Sequence, residues 1–271
     1  MSKDASAAAL IYLRSFTGLM LRDFRVLMRE FIAFLIRTVM NPLLFVFVFT
    51  YLFPKIGQGV SGVQGVSFGT ILLPGLIAVG IFFQGIMAVA LPLSQELGAT
   101  REIHDRVMAP LPVVLVAVEK IVFSALQSVI AAIVIFPLVD LIPLYPVQVH
   151  IYSWQLLVIM VLLAGLTSGA VGLAIGTIVK PQQIGLIFGV VVVPVTFLGC
   201  IYYPWAALAH VPWLQVLVLV NPVVYMSEGL RAALTAQVQH MPVLAILIAL
   251  SAALAMIGFI GIRGFMRRVV D

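Results

Sequence analysis

Glu228 and Arg231 stand three residues apart in a segment otherwise dominated by Leu, Val, Ala and Pro. On a helix that spacing puts both side chains on one face, where a carboxylate and a guanidinium can pair. In an interfacial region, where water is scarce, such a pair is worth more than on a wet surface. Asn221, Pro222 and Tyr225 precede them and complete the run N-P-x-x-Y-x-x-E-x-x-R. Nothing in this set is a nucleophile next to a base. It reads as an anchor for its segment, not as a reaction centre.

Other chemistry can be tested residue by residue. The histidines His104, His150, His210 and His240 are isolated, with no H-E-x-x-H, so a metal centre is not expected. The single cysteine, Cys200, excludes an internal disulfide framework and a cysteine-based zinc site. Ser168 lies in GLTSG rather than G-x-S-x-G, on a glycine-rich helix face. A P-loop requires a lysine directly after a glycine, and Lys3, Lys55, Lys120 and Lys180 all fail that test. Proton coupling needs ionisable groups deep in the bilayer, and the candidates are few: Asp140, Glu119 and Lys120. The stretch 96–113, ELGATREIHDRVMAPLPV, reads as a short charged helix closed by Pro110, with Glu102 and Arg106 at i,i+4. It is either a solvated connector or a docking helix.

The elements that must carry these residues follow from composition. Of 271 residues, 63% are hydrophobic and 9% charged, with a mean hydropathy of +1.21. Soluble domains carry roughly 25% charged residues, so the solvent here is lipid. Long unbroken apolar runs, without alternation, make the chain an all-α integral membrane protein with no barrel. It reads as one transmembrane domain over 1–271. Residues 10–37 read as an amphipathic interface helix, or else as a polar start to the first span, with Leu13, Phe16, Met20, Phe24, Leu27, Phe31 and Phe34 on one side. Arg14, Arg22, Arg25 and Arg29 lie opposite, with Asp23 and Glu30 among them. Six transmembrane helices are expected at 38–53, 70–91, 121–142, 154–179, 184–203 (kinked at Pro194) and 243–262. Residues 204–240 are too apolar for a loop and too short to span twice. They read as an outer re-entrant helical hairpin hinged at Asn221-Pro222, with Trp205, Trp213 and Tyr225 at interfacial depth.

Glycines step by four, three and four along the fourth span, at Gly165, Gly169, Gly172 and Gly176, and by four at Gly185 and Gly189. Such faces let helices approach closely, most simply within the chain. With a cytoplasmic start, thirteen lysines and arginines fall inside and only Lys55 and Arg231 outside, so both termini are expected in the cytoplasm. No cleavable leader is expected, and the net charge of +5 suits loops facing anionic lipid rather than nucleic acid. No internal repeat supports an inverted-repeat carrier.

Pro204, Pro212, Trp213, Asn221, Pro222, Tyr225, Glu228 and Arg231 together resemble a pattern shared by membrane subunits of type-2 ABC exporters. Arg101 and Glu102 before Ala109-Pro110-Leu111-Pro112 resemble the family's inner segment, and Pro74-Gly75 its second-span opening. The resemblance implies a type V ABC exporter-like half-transporter of the bacterial cytoplasmic (inner) membrane, not an enzyme. Its partners would be a second permease subunit, identical or a sister, and two copies of a separate ATP-binding subunit. ATP-Mg would sit on that partner, and this chain would hold no cofactor. The interface helix and a cytoplasmic coupling loop at 94–112 would meet the ATPase. The docking candidates are Arg101, Glu102, Asp105 and Arg106, with Lys180 as a lesser contact. Spans one, two and five would line the path, the outer hairpin would serve as lid or lateral exit, and the cargo would be a drug, a lipid or a lipid-linked glycan. Two other readings stay open on the residues alone: a channel or secondary carrier that needs no ATPase, and an intramembrane enzyme.

Overall fold

A computed structural model describes residues 2–56, 68–98, 110–141 and 150–270. Among them every regular element is helical. The chain opens with α1 (Ser2–Arg29), breaks at Glu30, and resumes as α2 (Phe31–Val46). A π-helical stretch, Phe47–Leu52, carries α2 into the short α3 (Phe53–Lys55). Then come α4 (Phe68–Gly98), α5 (Val113–Leu141) and α6 (Trp154–Ile178). A broken helix runs from Pro181 to Phe197 and includes α7 (Ile184–Ile187), a π segment Phe188–Val192 and α8 (Val193–Phe197). Last are α9 (Pro212–Leu217), α10 (Pro222–Leu234) and α11 (Val243–Val270).

Among the described residues, five helices are long and apolar enough to cross a membrane, or six if the pair Pro212–Val220 and Pro222–Leu234, bent by 98°, counts as one. The chain is therefore a multi-pass membrane protein. Several limits differ from those read in the sequence. The break at Glu30 assigns residues 31–37 to the first membrane helix instead of the interface helix, and this splits the apolar stripe. Leu27 and Phe34 are buried against Phe123 of α5, whereas Leu13 and Phe24 are exposed. The break falls where Arg29 and Glu30 interrupt the apolar run, and Arg37 reaches back across it to Glu30 at 3.7 Å. The second helix continues through Pro92 to Gly98, and the third starts at Val113, eight residues early. The helix expected at 184–203 ends at Phe197. Its irregularity is the π segment just before Pro194, a usual way to absorb a proline that lacks an N–H and crowds the preceding turn.

α6 is the centre of the bundle and packs on α4, α5 and α11. Its glycine face explains how. A Cβ on Gly172 would come within 2.9 Å of the Ile86 carbonyl, and one on Gly176 within 3.0 Å of Ala90. On Gly169 it would meet Ser124, and on Gly165 the backbone of Ala125. One stripe thus serves two partners, α4 and α5. Lipid supplies no hydrophobic drive between helices, so such close packing is what holds them. Ser124 adds a hydrogen bond to the Gly85 carbonyl at 3.0 Å. Gly185 and Gly189 face open space.

Candidate functional site

The N-P-x-x-Y-x-x-E-x-x-R run builds one connected cluster where α10 meets the start of α4. Pro222 occupies the first turn of α10, where a missing N–H costs nothing, and Asn221 caps it by accepting from the Val223 N–H at 3.0 Å. The Asn221 amide also donates to the Val195 carbonyl at 2.6 Å, tying α8 to α10. Tyr225 donates to the Leu219 carbonyl at 2.7 Å across the 98° bend. Two turns along, Glu228 and Arg231 pair with no solvent exposure at all. Glu228 also accepts from the Trp205 N–H and the Met241 N–H, both at 2.9 Å. Arg231 donates to the Cys200 carbonyl at 3.1 Å and reaches the Ile71 carbonyl of α4 at 3.5 Å.

The pair therefore staples four backbone segments together. One of them is strained: Cys200 has φ 53, in the left-handed region unusual for a residue with a side chain. Its neighbour Gly199 accepts from Ser227 at 2.7 Å, so both carbonyls of that turn are fixed from α10. Gly75 has its reason here as well, because a Cβ on it would overlap the backbone of Ile201. The far end of α10 is closed too, since the Tyr152 N–H donates to the Ala233 carbonyl at 3.0 Å. Trp205 is fixed by its indole N–H to the Gln215 carbonyl at 3.1 Å.

A second cluster sits at the opposite, basic end of the bundle. There the ends of α4, α6 and α11 gather, and Arg268 donates to the last carbonyl of α6, Ile178, at 3.5 Å. Lys120 of α5 lies 3.0 Å from Glu96 of α4 and 3.6 Å from Asp23 of α1, and all three are buried. Further along α2, α4 and α5 a polar ladder continues: Thr38 donates to Gln84 at 3.0 Å, and Gln84 to Gln127 at 2.9 Å. Both sets border a cavity of about 630 Å³ walled by α1, α2, α4 and α5.

The sequence-derived residues fare unequally. Asn221, Pro222, Tyr225, Glu228 and Arg231 come together, and the pair is fully enclosed by protein. Lys180 is exposed and precedes the turn Pro181–Gln183. Arg101, Glu102, Asp105 and Arg106 lie outside the described residues. α4 ends at Gly98, which lies against Pro181, so Lys180 is close to the end of α4. The Asp23–Glu96–Lys120 cluster was not foreseen. Its members come from three helices, and no spacing along one chain segment announces such a set. The sequence-level hint was Asp23 among the arginines of α1. The expectation that α1 is purely interfacial hid its reach into the bundle.

A comparison with curated proteins returned no match. A family model does match: that of the ABC-2 type transporter covers residues 14–235, or 222 of the 271. The match runs from α1 to the residue after α10 and so includes both polar clusters. The chain belongs to the ABC-2 type transporter family and is a membrane component of an ABC transporter, a transport part that is not itself catalytic.

Proposed function

We propose that this chain is the permease subunit of an ATP-driven exporter that moves a hydrophobic or amphipathic substrate out of the cytoplasm or the inner leaflet. The cargo class is a drug, a lipid or a lipid-linked glycan. The permease works as a pair with an identical or sister subunit and with two copies of a separate ATP-binding subunit that holds ATP-Mg. The basic end faces the cytoplasm of a bacterial cell, with both termini there. The outer segment from Trp205 to Leu234 dips into the outer leaflet and returns.

The observation that carries this reading is the joining of α4's end to the Lys180 turn. Gly98 abuts Pro181, so the end of α4 and the Lys180 turn belong to one end of the bundle. That end is where an ATPase could press, and a rigid-body push through a short helix is an ordinary way to transmit such work. Support also comes from the spans. Glu228 with Arg231, and Lys120 with Glu96 and Asp23, are committed to one another instead of being spaced along a proton path.

The test is co-purification with an ATP-binding subunit, followed by charge reversal at Arg101 and Glu102. Arg101→Glu with Glu102→Arg should leave insertion intact and uncouple ATP hydrolysis from transport. Normal coupling in that variant would remove the docking assignment. Uphill transport by the chain alone in vesicles would remove the ATP-driven reading.

A further inference from the structure

We propose that the cavity between α1, α2, α4 and α5 is a binding site for the headgroup and upper acyl chains of one zwitterionic phospholipid. This goes beyond the transport reading and does not depend on it, since the bound lipid need not be the cargo.

The argument starts from charge. Six ionisable side chains line the cavity, three of each sign: Arg22, Arg37 and Lys120 against Asp23, Glu30 and Glu96. They are graded in depth. Glu30 and Arg37 are about two-thirds exposed at the break between α1 and α2, whereas Asp23, Glu96 and Lys120 are buried. In the buried set two carboxylates share one ammonium, and at the rim Arg37 and Arg22 offer guanidinium groups suited to phosphate. A headgroup with a phosphate and an ammonium meets a partner of opposite sign at each level. The charges of the wall already balance, so a zwitterionic headgroup keeps the site neutral, whereas an anionic headgroup would leave one negative charge uncompensated there.

Shape and depth then select a lipid over a free zwitterion. Apolar side chains share the lining, Phe34, Phe83 and Phe123 among them, and Met87 is 42% exposed there. At about 630 Å³ the space is of small-molecule size. It holds a headgroup and the first part of the chains, and the rest would lie along the exposed Ile32 and Ile36 of α2. The Thr38–Gln84–Gln127 ladder stands where the ester carbonyls would be.

Native mass spectrometry of the full chain in detergent tests this. The probes are phosphatidylethanolamine, phosphatidylcholine and phosphatidylglycerol with matched acyl chains. The expected result is one tightly held lipid, with both zwitterionic probes favoured over phosphatidylglycerol by about tenfold, the effect of one well-placed charge contact. Ala88→Trp, which fills the cavity, should abolish that preference, and Leu244→Trp on the exposed face of α11 should leave it unchanged. Glu30→Lys, at an exposed position that does not threaten folding, should shift the preference towards phosphatidylglycerol. Equal binding of all three probes by the unaltered chain would overturn the proposal. So would an unchanged preference in Glu30→Lys, or in an Ala88→Trp protein that melts normally.

Discussion

Replacing Glu228 with glutamine removes one charge and leaves the side-chain shape nearly intact. The guanidinium of Arg231 then stays enclosed, at zero exposure, without a counter-ion. Breaking a buried pair from one side typically costs about 3–5 kcal/mol, because the remaining charge is uncompensated. A second loss comes from geometry. Glu228 accepts from Trp205 with one oxygen and from Met241 with the other. A glutamine has one acceptor and one amide donor, so one of those two backbone N–H groups would face an N–H₂. An orphaned buried donor adds about 1–3 kcal/mol. The expected fall in melting temperature is about 10 °C or more, at roughly 2–4 °C per kcal/mol for chains of this size.

Arg231→Met should be milder. It leaves a carboxylate that still accepts two backbone hydrogen bonds, which partly stabilises the remaining charge. Combining the two changes should restore part of what Glu228→Gln alone loses, since the double variant buries no charge. The assay is thermal unfolding in detergent, followed by tryptophan fluorescence. Trp205 is a local reporter, because its own N–H is held by Glu228. The reasoning fails if Glu228→Gln melts within 2 °C of the unaltered chain, or if the two single losses simply add in the double variant.

Three further expectations use the same measurement or a simple extension. Gly172→Leu should prevent α4 and α6 from closing, because its Cβ alone would stand 2.9 Å from the Ile86 carbonyl; Gly258→Ala, with its nearest neighbour at 4.0 Å, should be neutral, and equal behaviour of the two would refute the seam. Asn221→Ala removes a helix cap and leaves the Val195 carbonyl without its amide donor, so a loss of about 2 kcal/mol is expected in the melting curve, with Asn221→Ser partly restoring it. Lys120→Met leaves Glu96 and Asp23 with no ammonium between them and should cost several kcal/mol; adding Glu96→Gln should recover stability, and a further loss would count against a shared ion cluster.

How much of this was legible in the sequence depends on the reach of each signal. The all-helical membrane class follows from runs of apolar residues, which are local. The outer cluster was legible as a motif because Asn221, Tyr225, Glu228 and Arg231 sit on one short helix and its cap. Their partners were not, since Cys200, Ile71 and Met241 contribute only backbone atoms, and backbone carries no residue identity. Gly75 shows the same limit. Its glycine was visible, but the Ile201 backbone that demands it lies 126 residues away. The Asp23–Glu96–Lys120 set fails for another reason. Each member, alone, looks like the ordinary polar end of a helix.

The two clusters share one element, and that bears on how work could cross the membrane. α4 carries Ile71 and Gly75 at one end and Glu96 and Gly98 at the other. With 31 residues at 1.5 Å each, it is about 46 Å long. Along its middle Ile86 and Ala90 are packed backbone-close on Gly172 and Gly176, which leaves little room for α4 to bend independently of α6. Displacement at Gly98 would therefore reach Ile71 as a movement of the whole helix. There it would act on the Ile201 backbone through Gly75 and on Arg231 through the Ile71 carbonyl. In an ATP-driven permease this makes α4 the lever and the Glu228–Arg231 staple its output. Gly75→Ala, which forces α4 away from residue 201 without touching the basic end, should then leave ATPase binding intact and impair transport. Unimpaired transport in a folded Gly75→Ala protein would rule out α4 as the transmitting element.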